Sequence, residues 1–280
     1  MTREANELTN DLAAGSPDRF GYEWQHYSDL RPEHERQFLG WTVHLAPADW
    51  RGKTFLDVGC GMGRNSYWPL RYGAQSGVAI DVDCRSLSAA RRTLEAFTNA
   101  TVREASAYDV GYRNHFDIAF SIGVIHHLEY PERALKAMAE SVRPGGLVLI
   151  WVYGLENNKW IVYFLSPLRR ALFSRLPIGL VHHLSLYPAM LLWVVLRLGF
   201  QPIEYFRLLR GLSFRNIRSI VFDQMLPKIA HYWPRGKVES LMRGAGLENV
   251  KLAWINEMSW SAIGTRPPAD HDGAQTAPPG

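Results

Sequence analysis

Three glycines and two acids carry the first chemical signal in this chain. Gly59, Gly61 and Gly63 lie at G-x-G-x-G spacing, Asp57 stands two residues before them, and Asp81 follows 22 residues after Gly59. Glycines at the end of a strand allow a sharp turn and let a ligand approach main-chain atoms with no Cβ in the way. A carboxylate at the tip of the next strand can accept hydrogen bonds from both hydroxyls of a ribose. These residues predict a site for a nucleoside-bearing cofactor. The dinucleotide fingerprint is G-x-G-x-x-G, with its third glycine needed for close packing of helix on strand; here Arg64, Asn65 and Ser66 follow Gly63 instead. Asp57 would repel a diphosphate and suits an ammonium or sulfonium cation.

The elements that must position these residues read as strand Thr54–Val58, a helix from Arg64 to Tyr72, and strand Gly77–Val82. Pro69 within that helix suggests a kink or a late start. Asp83 is assigned as the N-cap of a helix over Arg85–Phe97. Further strands are expected at Val102–Ser106, Phe116–Ile122 and Leu147–Tyr153, and a helix at Glu132–Val142.

With FDIAFSIGVIHHL (Phe116–Leu128) and VRPGGLVLIW (Val142–Trp151) added to the glycine loop, the chain resembles the class I S-adenosylmethionine-dependent methyltransferases. The resemblance covers residues 50–154 and, more weakly, 219–265. It implies an α/β fold: a Rossmann-like, seven-stranded, mostly parallel sheet with an antiparallel last strand, and S-adenosylmethionine as cofactor. By this resemblance Asp57, Gly59, Gly61, Gly63, Asp81 and Val82 bind the cofactor. Ser106 and Ala107 take the place where an adenine-binding acid is usual. Val82 and Tyr108 are candidates to sandwich the ring. Ser121 and Gly123, at the end of the fourth strand, pass near its reacting end. His126 is a candidate proton acceptor there, since histidine titrates near neutrality; packing is the competing role.

The rest of the chain surrounds this unit. Residues 1–50 form an N-terminal cap whose aromatics, Tyr22 and Tyr27 among them, are candidate cofactor contacts; a helix packed on the sheet edge is the alternative. Residues 51–154 and 219–265 make the cofactor domain, 155–218 an insertion before strand six, and 266–280 a disordered tail. The loop after strand five offers Tyr153, Glu156, Asn157 and Asn158 to a substrate, because open α/β sheets bind ligands at the carboxyl ends of their strands. Asp223, Gln224, His231 and Tyr232 are placed on a loop that faces the same cleft, with His231 the preferred base. Leu247–Ile255 and Met258–Thr265 read as a hairpin.

The chain has 280 residues and net charge +4. Between Lys159 and Arg218 nine Lys or Arg face one acid, Glu204, so that segment is +8 and the remainder −4. Within it Leu176–Leu196 holds 21 residues without Asp, Glu, Lys or Arg. Three readings are open: an apolar cap over the substrate, a hairpin dipping into a membrane surface, and a transmembrane helix, which a single crossing opposes by separating the last strands from their sheet. The first two imply a greasy or anionic substrate, for instance a lipid-linked or phosphorylated one, and the second adds peripheral membrane contact through 160–215. The expected acceptor is a small or amphiphilic compound (a sugar, a lipid-linked or an isoprenoid-type compound) methylated on O or N. Basic residues interleaved with Leu and Trp speak against nucleic acid. Two cysteines, Cys60 and Cys84, make no metal set or disulfide framework, and Met1–Ala14 has no apolar core segment. A cytoplasmic protein, at the inner face of the membrane, is expected. A catalytically silent scaffold and a nicotinamide-dependent dehydrogenase are the alternative functions.

Overall fold

The computed structural model describes Phe20, Tyr22 and residues 30–173 and 175–268. Tyr27 and the tail beyond residue 268 lie outside the described residues. Seven strands, β1 (Thr54–Val58), β2 (Ser76–Asp81), β3 (Ala100–Glu104), β4 (Phe116–Ile122), β5 (Val142–Tyr153), β6 (Glu248–Ile255) and β7 (Ser259–Thr265), form one sheet in the order 3-2-1-4-5-7-6. The first five are parallel to one another, and β7 is antiparallel to both β5 and β6. β1 sits between β2 and β4, so chain order reverses at β1. Ligand crevices in open α/β sheets form outside the carboxyl ends of the strands at such a reversal.

The strands read as near-continuous apolar runs because both faces are covered. On one side Leu56, Val58, Ile80, Ala119 and Ile150 meet the helix α4 (Pro131–Ser141) and the late helix α9 (Arg235–Gly244). On the other, Phe55, Phe120, Ile118 and Leu149 meet α1 (Pro32–Trp41), α2 (Arg64–Arg71) and α3 (Cys84–Thr93). Phe38 of α1 is fully buried among Trp50, Tyr72 and Phe120, which fixes this helix over the sheet.

Some boundaries move. α2 starts at Arg64 and runs through Pro69; proline removes one intrahelical donor, and one turn of a buried short helix tolerates that loss. β3 ends at Glu104, two residues earlier than expected. Ser106 then forms an isolated bridge with Asp109 and caps the turn by accepting from the Tyr108 amide at 3.1 Å. Asp83 caps α3, accepting from the amides of Arg85 and Ser86.

The insertion is helical throughout. Wide π-type turns at Ile161–Leu165 and Arg169–Phe173 flank Ser166–Leu168. Then come α5 (Ile178–Leu184), α6 (Leu186–Arg197), α7 (Glu204–Arg210) and α8 (Phe214–Met225). The long apolar stretch is therefore broken at Ser185, whose hydroxyl donates back to the His182 carbonyl, and Arg218 of α8 donates to that same carbonyl at 2.8 Å. α8 is the spine: Phe222 and Met225 pack on Val181 of α5, and Ile217 packs with Leu196 of α6 and Leu209 of α7. The expected boundary at 218 falls inside α8, which belongs to the insertion. Ile178–Arg197 is long and apolar enough to span a bilayer by composition. Its attachment to α8, together with the return of the chain into the same sheet as β6 and β7, lays it along the domain instead.

Candidate active site

One cavity of about 1500 Å³ runs from the glycine loop to the insertion helices. Pockets for a single drug-sized ligand span roughly 300–1,000 Å³, so this one has room for a cofactor and an acceptor together. Its two ends differ in chemistry.

At the first end, β1 stops and the chain turns through Gly59, Gly61 and Gly63, all at positive φ. The loop is tied to the next strand: the amides of Gly59 and Cys60 donate to the Ile80 carbonyl, and the Gly61 amide donates to Asp81 Oδ2 at 2.9 Å. Asp81 Oδ1 accepts from the amides of Val82 and Asp83. Burial pushes the Asp81 carboxyl up from its ordinary value, while these three amides pull it back. A carboxylate offers about four lone-pair sites, so capacity remains toward the cavity that Asp81 lines. Gly59, Gly61, Val82, Ser106, Ala107 and Gly123 line it too. Gly123 has φ +80°, and a Cβ built there would meet nothing closer than Trp151 at 3.8 Å. Tyr108 joins Val82 on this wall, its ring under the Arg133 guanidinium at 5.4 Å.

Three expected cofactor residues are set back from the cavity surface. Asp57 is buried and accepts from the Ser66 hydroxyl at 2.6 Å; burial pushes its carboxyl up to about 7. It pins α2 to β1 rather than presenting its charge to a ligand. Ser121 donates to the Val58 carbonyl at 2.8 Å, joining β4 to β1. Gly63 is the N-cap of α2, and a Cβ there would press on Ala90 of α3 at 3.1 Å, so its smallness serves helix packing.

At the second end, the sequence-derived bases are also displaced. His126 is fully buried, its ring 4.0 Å from that of Tyr153, and burial holds its pKa well below the usual imidazole value. His231 contacts the Leu128 carbonyl at 3.1 Å, stacks on Trp233, and is not among the cavity-lining residues. His127 does line the cavity, but burial lowers it to about 4 and one ring nitrogen is engaged with the Ile229 carbonyl. Glu156 accepts from the Arg235 amide and the Trp260 indole, and Asn157 donates to the Glu257 carbonyl; both serve the β6–β7 hairpin. Asn158 lines the cavity while its amide nitrogen donates to the carbonyls of Gly154 and Met258.

What the cavity presents instead is a polar cluster around Asp223. Tyr153 donates to Asp223 Oδ2 at 3.1 Å, Gln224 donates to the Tyr153 oxygen at 3.0 Å, and Tyr232 donates to Gln224 Oε1 at 3.1 Å. Arg169, fully buried behind them, donates to the Gln224 carbonyl and to Ser166 Oγ. Burial raises the Asp223 carboxyl above its ordinary value, opposed by the Tyr153 hydroxyl and the Arg169 and Arg64 charges. An aromatic wall links the two ends: Trp41–Trp151 at 5.1 Å, Trp151–Tyr153 at 5.7 Å and Tyr153–Tyr232 stacked at 5.3 Å. Arg169 was not foreseeable as a site residue, because one of eight arginines in a basic stretch carries no mark of burial. Asp223 and Gln224 were expected to face this cleft from a loop; they do line it, but from the end of α8.

Residues 56–150 match the family described as a methyltransferase domain. Residues 56–150 are thus similar to a methyltransferase domain. The chain is 35% identical over 142 residues to a ubiquinone biosynthesis O-methyltransferase of Paracidovorax citrulli, covering 49% of this chain and 57% of that protein. It is 27% identical over 137 residues to a tRNA U34 carboxymethyltransferase of Desulfotalea psychrophila, covering 47% and 41%. The chain thus spans about half the length of these relatives. Among solved structures, an S-adenosylmethionine-dependent methyltransferase from Aquifex aeolicus superimposes with TM-score 0.54 at 13% identity, over 88% of this chain and 98% of that one; this likeness is one of fold. The first end of the cavity has the features that S-adenosylmethionine requires: Asp81 has acceptor capacity left, Gly123 leaves open space, and Asn65 Oδ1, on the lining, is buried without a partner among the described residues.

Proposed function

We propose that this protein transfers a methyl group from S-adenosylmethionine to a hydroxyl or amine on the polar head of an amphiphilic, lipid-linked or isoprenoid-type acceptor. The observation that carries the reading is one cavity: glycines and Asp81 at its first end, and at its second the Asp223 cluster together with apolar insertion side chains such as Leu192, Val195 and Phe206. S-adenosylmethionine, when bound, supplies an activated methyl group whose departure leaves a neutral thioether. The protein's work is then alignment and exclusion of water, worth about 7–11 kcal/mol in favourable systems. Tyr153, Tyr232 and Gln224 orient the acceptor head, and Asp223 receives its proton. A raised carboxyl value suits that role, since a base works best with a pKa near the working pH. Cys60 and Cys84 are free thiols, in keeping with a reducing, cytoplasmic setting. A tRNA acceptor is the second reading, favoured by the carboxymethyltransferase relative; the apolar lining of the acceptor end supports it less well than a tailed small molecule.

Titration calorimetry should give S-adenosylmethionine binding that weakens about tenfold or more in Asp81→Ala, as expected when a charge-assisted hydrogen bond worth about 1.5–3 kcal/mol is lost. Asp223→Asn should keep that affinity while kcat, measured with hydroxylated acceptors of graded tail length, falls about 100-fold. Failure to bind S-adenosylmethionine, or a preference for tail-less acceptors, would overturn the reading.

A further inference from the structure

Thirteen of the fifteen exposed large apolar side chains among the described residues lie between Trp160 and Leu208. Singly exposed apolar residues are ordinary, but a contiguous set marks an interaction surface. Phe164 and Leu198 are 77% and 82% exposed, and Tyr163, Tyr187 and Met190 are more than half exposed. Trp160, Leu168, Leu191, Phe200 and Leu208 belong to this exposed set and also line the cavity. The large cavity therefore opens through the apolar surface. The same segment carries the exposed cations Lys159, Arg175, Arg197, Arg207 and Arg210, and its only acid is Glu204.

We infer that the insertion seats on an anionic lipid bilayer, with the cavity mouth against the membrane so that a tailed acceptor enters from the lipid without crossing water. Charge complementarity selects this occupant: apolar side chains enter the acyl boundary while arginines meet anionic headgroups, as in interfacial helices. The outer faces of α5 and α6 supply the apolar contact, and their inner residues Val181, Ala189 and Leu196 stay buried against the domain, so docking needs no unfolding. The passage of acceptor rests on the methyl-transfer reading; the docking does not.

The test is flotation of the full chain with vesicles of phosphatidylcholine alone and of phosphatidylcholine with phosphatidylglycerol. The protein should float with the anionic vesicles, less so with neutral ones and less at high salt. Phe164→Ser with Leu198→Ser should weaken binding about tenfold or more, by the transfer value of two large apolar side chains. Arg197→Gln and Arg207→Gln should each cost about fivefold. S-adenosylmethionine affinity, titrated on the same variants, should not change, so the cofactor reading is judged separately. Absence of flotation, flotation equal in the serine variant, or light scattering showing that the patch closes a dimer instead would each overturn the inference.

Discussion

The cofactor half and the insertion are built from the same residue types and use them in opposite ways. In the sheet, Leu56, Val58, Ile80 and Phe120 are fully buried, and the cavity is reached by the glycine loop, Asp81 and the side chains at the strand ends, such as Val82, Tyr108 and Trp151. In the insertion, leucines and aromatics of equal size stay partly or largely exposed, and several of them, Leu191 and Phe200 among them, line the far end of the cavity. The first region has completed its apolar contacts within the chain; the second has satisfied only its α8-facing side. A hydrophobic face left over after folding is free energy available to a partner.

The contrast can be broken most severely at Gly59. It sits at φ +76°, and a Cβ there would collide with the Val124 side chain. Gly59→Val adds a left-handed backbone penalty to overpacking, together about 2–5 kcal/mol. Urea denaturation should show that loss, and titration should show no S-adenosylmethionine binding. A variant stable within 1 kcal/mol of the parent (about the floor for either penalty) would mean the loop is not the tightly packed element described.

Asp57 gives the next effect. Its carboxyl titrates at about 7 in the folded protein against an ordinary 3.8, because burial disfavours the ionised form. The folded state therefore holds the proton more tightly than the unfolded chain. This contribution is fully present below about pH 4 and is lost as pH rises through about 7. A shift of this size corresponds to on the order of 4 kcal/mol. Melting temperature should fall across that window in the parent, and Asp57→Asn should flatten the slope. An unchanged slope in the variant would show that Asp57 is not the group responsible.

The difference between the two regions also explains what was legible in the sequence. β1 and β4 were placed residue for residue, because uninterrupted apolar runs bounded by glycine or acid have few other solutions. Asp81 and the glycine loop were legible for the same reason: the turn and the strand tip fix them locally. Asp57, Ser121 and Gly63 lie off the cavity wall, which was not legible because spacing tells that a residue is near a loop but not which way it faces. Asp57 found Ser66 and turned inward. His126 is off the wall because it is wholly buried, and His231 because its ring turns to the Leu128 carbonyl and Trp233. Arg169 reaches the cluster only when α8 packs against the π-turned segment, where it meets the Gln224 carbonyl, a long-range event with no periodic signature. The apolar stretch showed its composition but not its break at Ser185 or its two faces.

The smallest predicted effect probes those faces within one helical turn. Leu196 in α6 is 1% exposed and packs with Leu209 and Ile217, whereas Leu198, just past the helix end, is 82% exposed. Leu196→Ala should cost about 2–5 kcal/mol in urea denaturation, the range for a buried leucine. Leu198→Ser, measured without lipid, should stay within about 0.5 kcal/mol of the parent, as surface substitutions do. The two leucines are chemically identical and two residues apart, and serine is the more polar replacement, so a smaller cost at Leu198 traces to its exposure. Equal costs would mean that Leu198 is covered in solution, by a second copy of the chain, and that the insertion is as complete as the sheet. A large difference, followed by loss of vesicle binding in Leu198→Ser only, would show that the outer face stabilises nothing until a bilayer covers it.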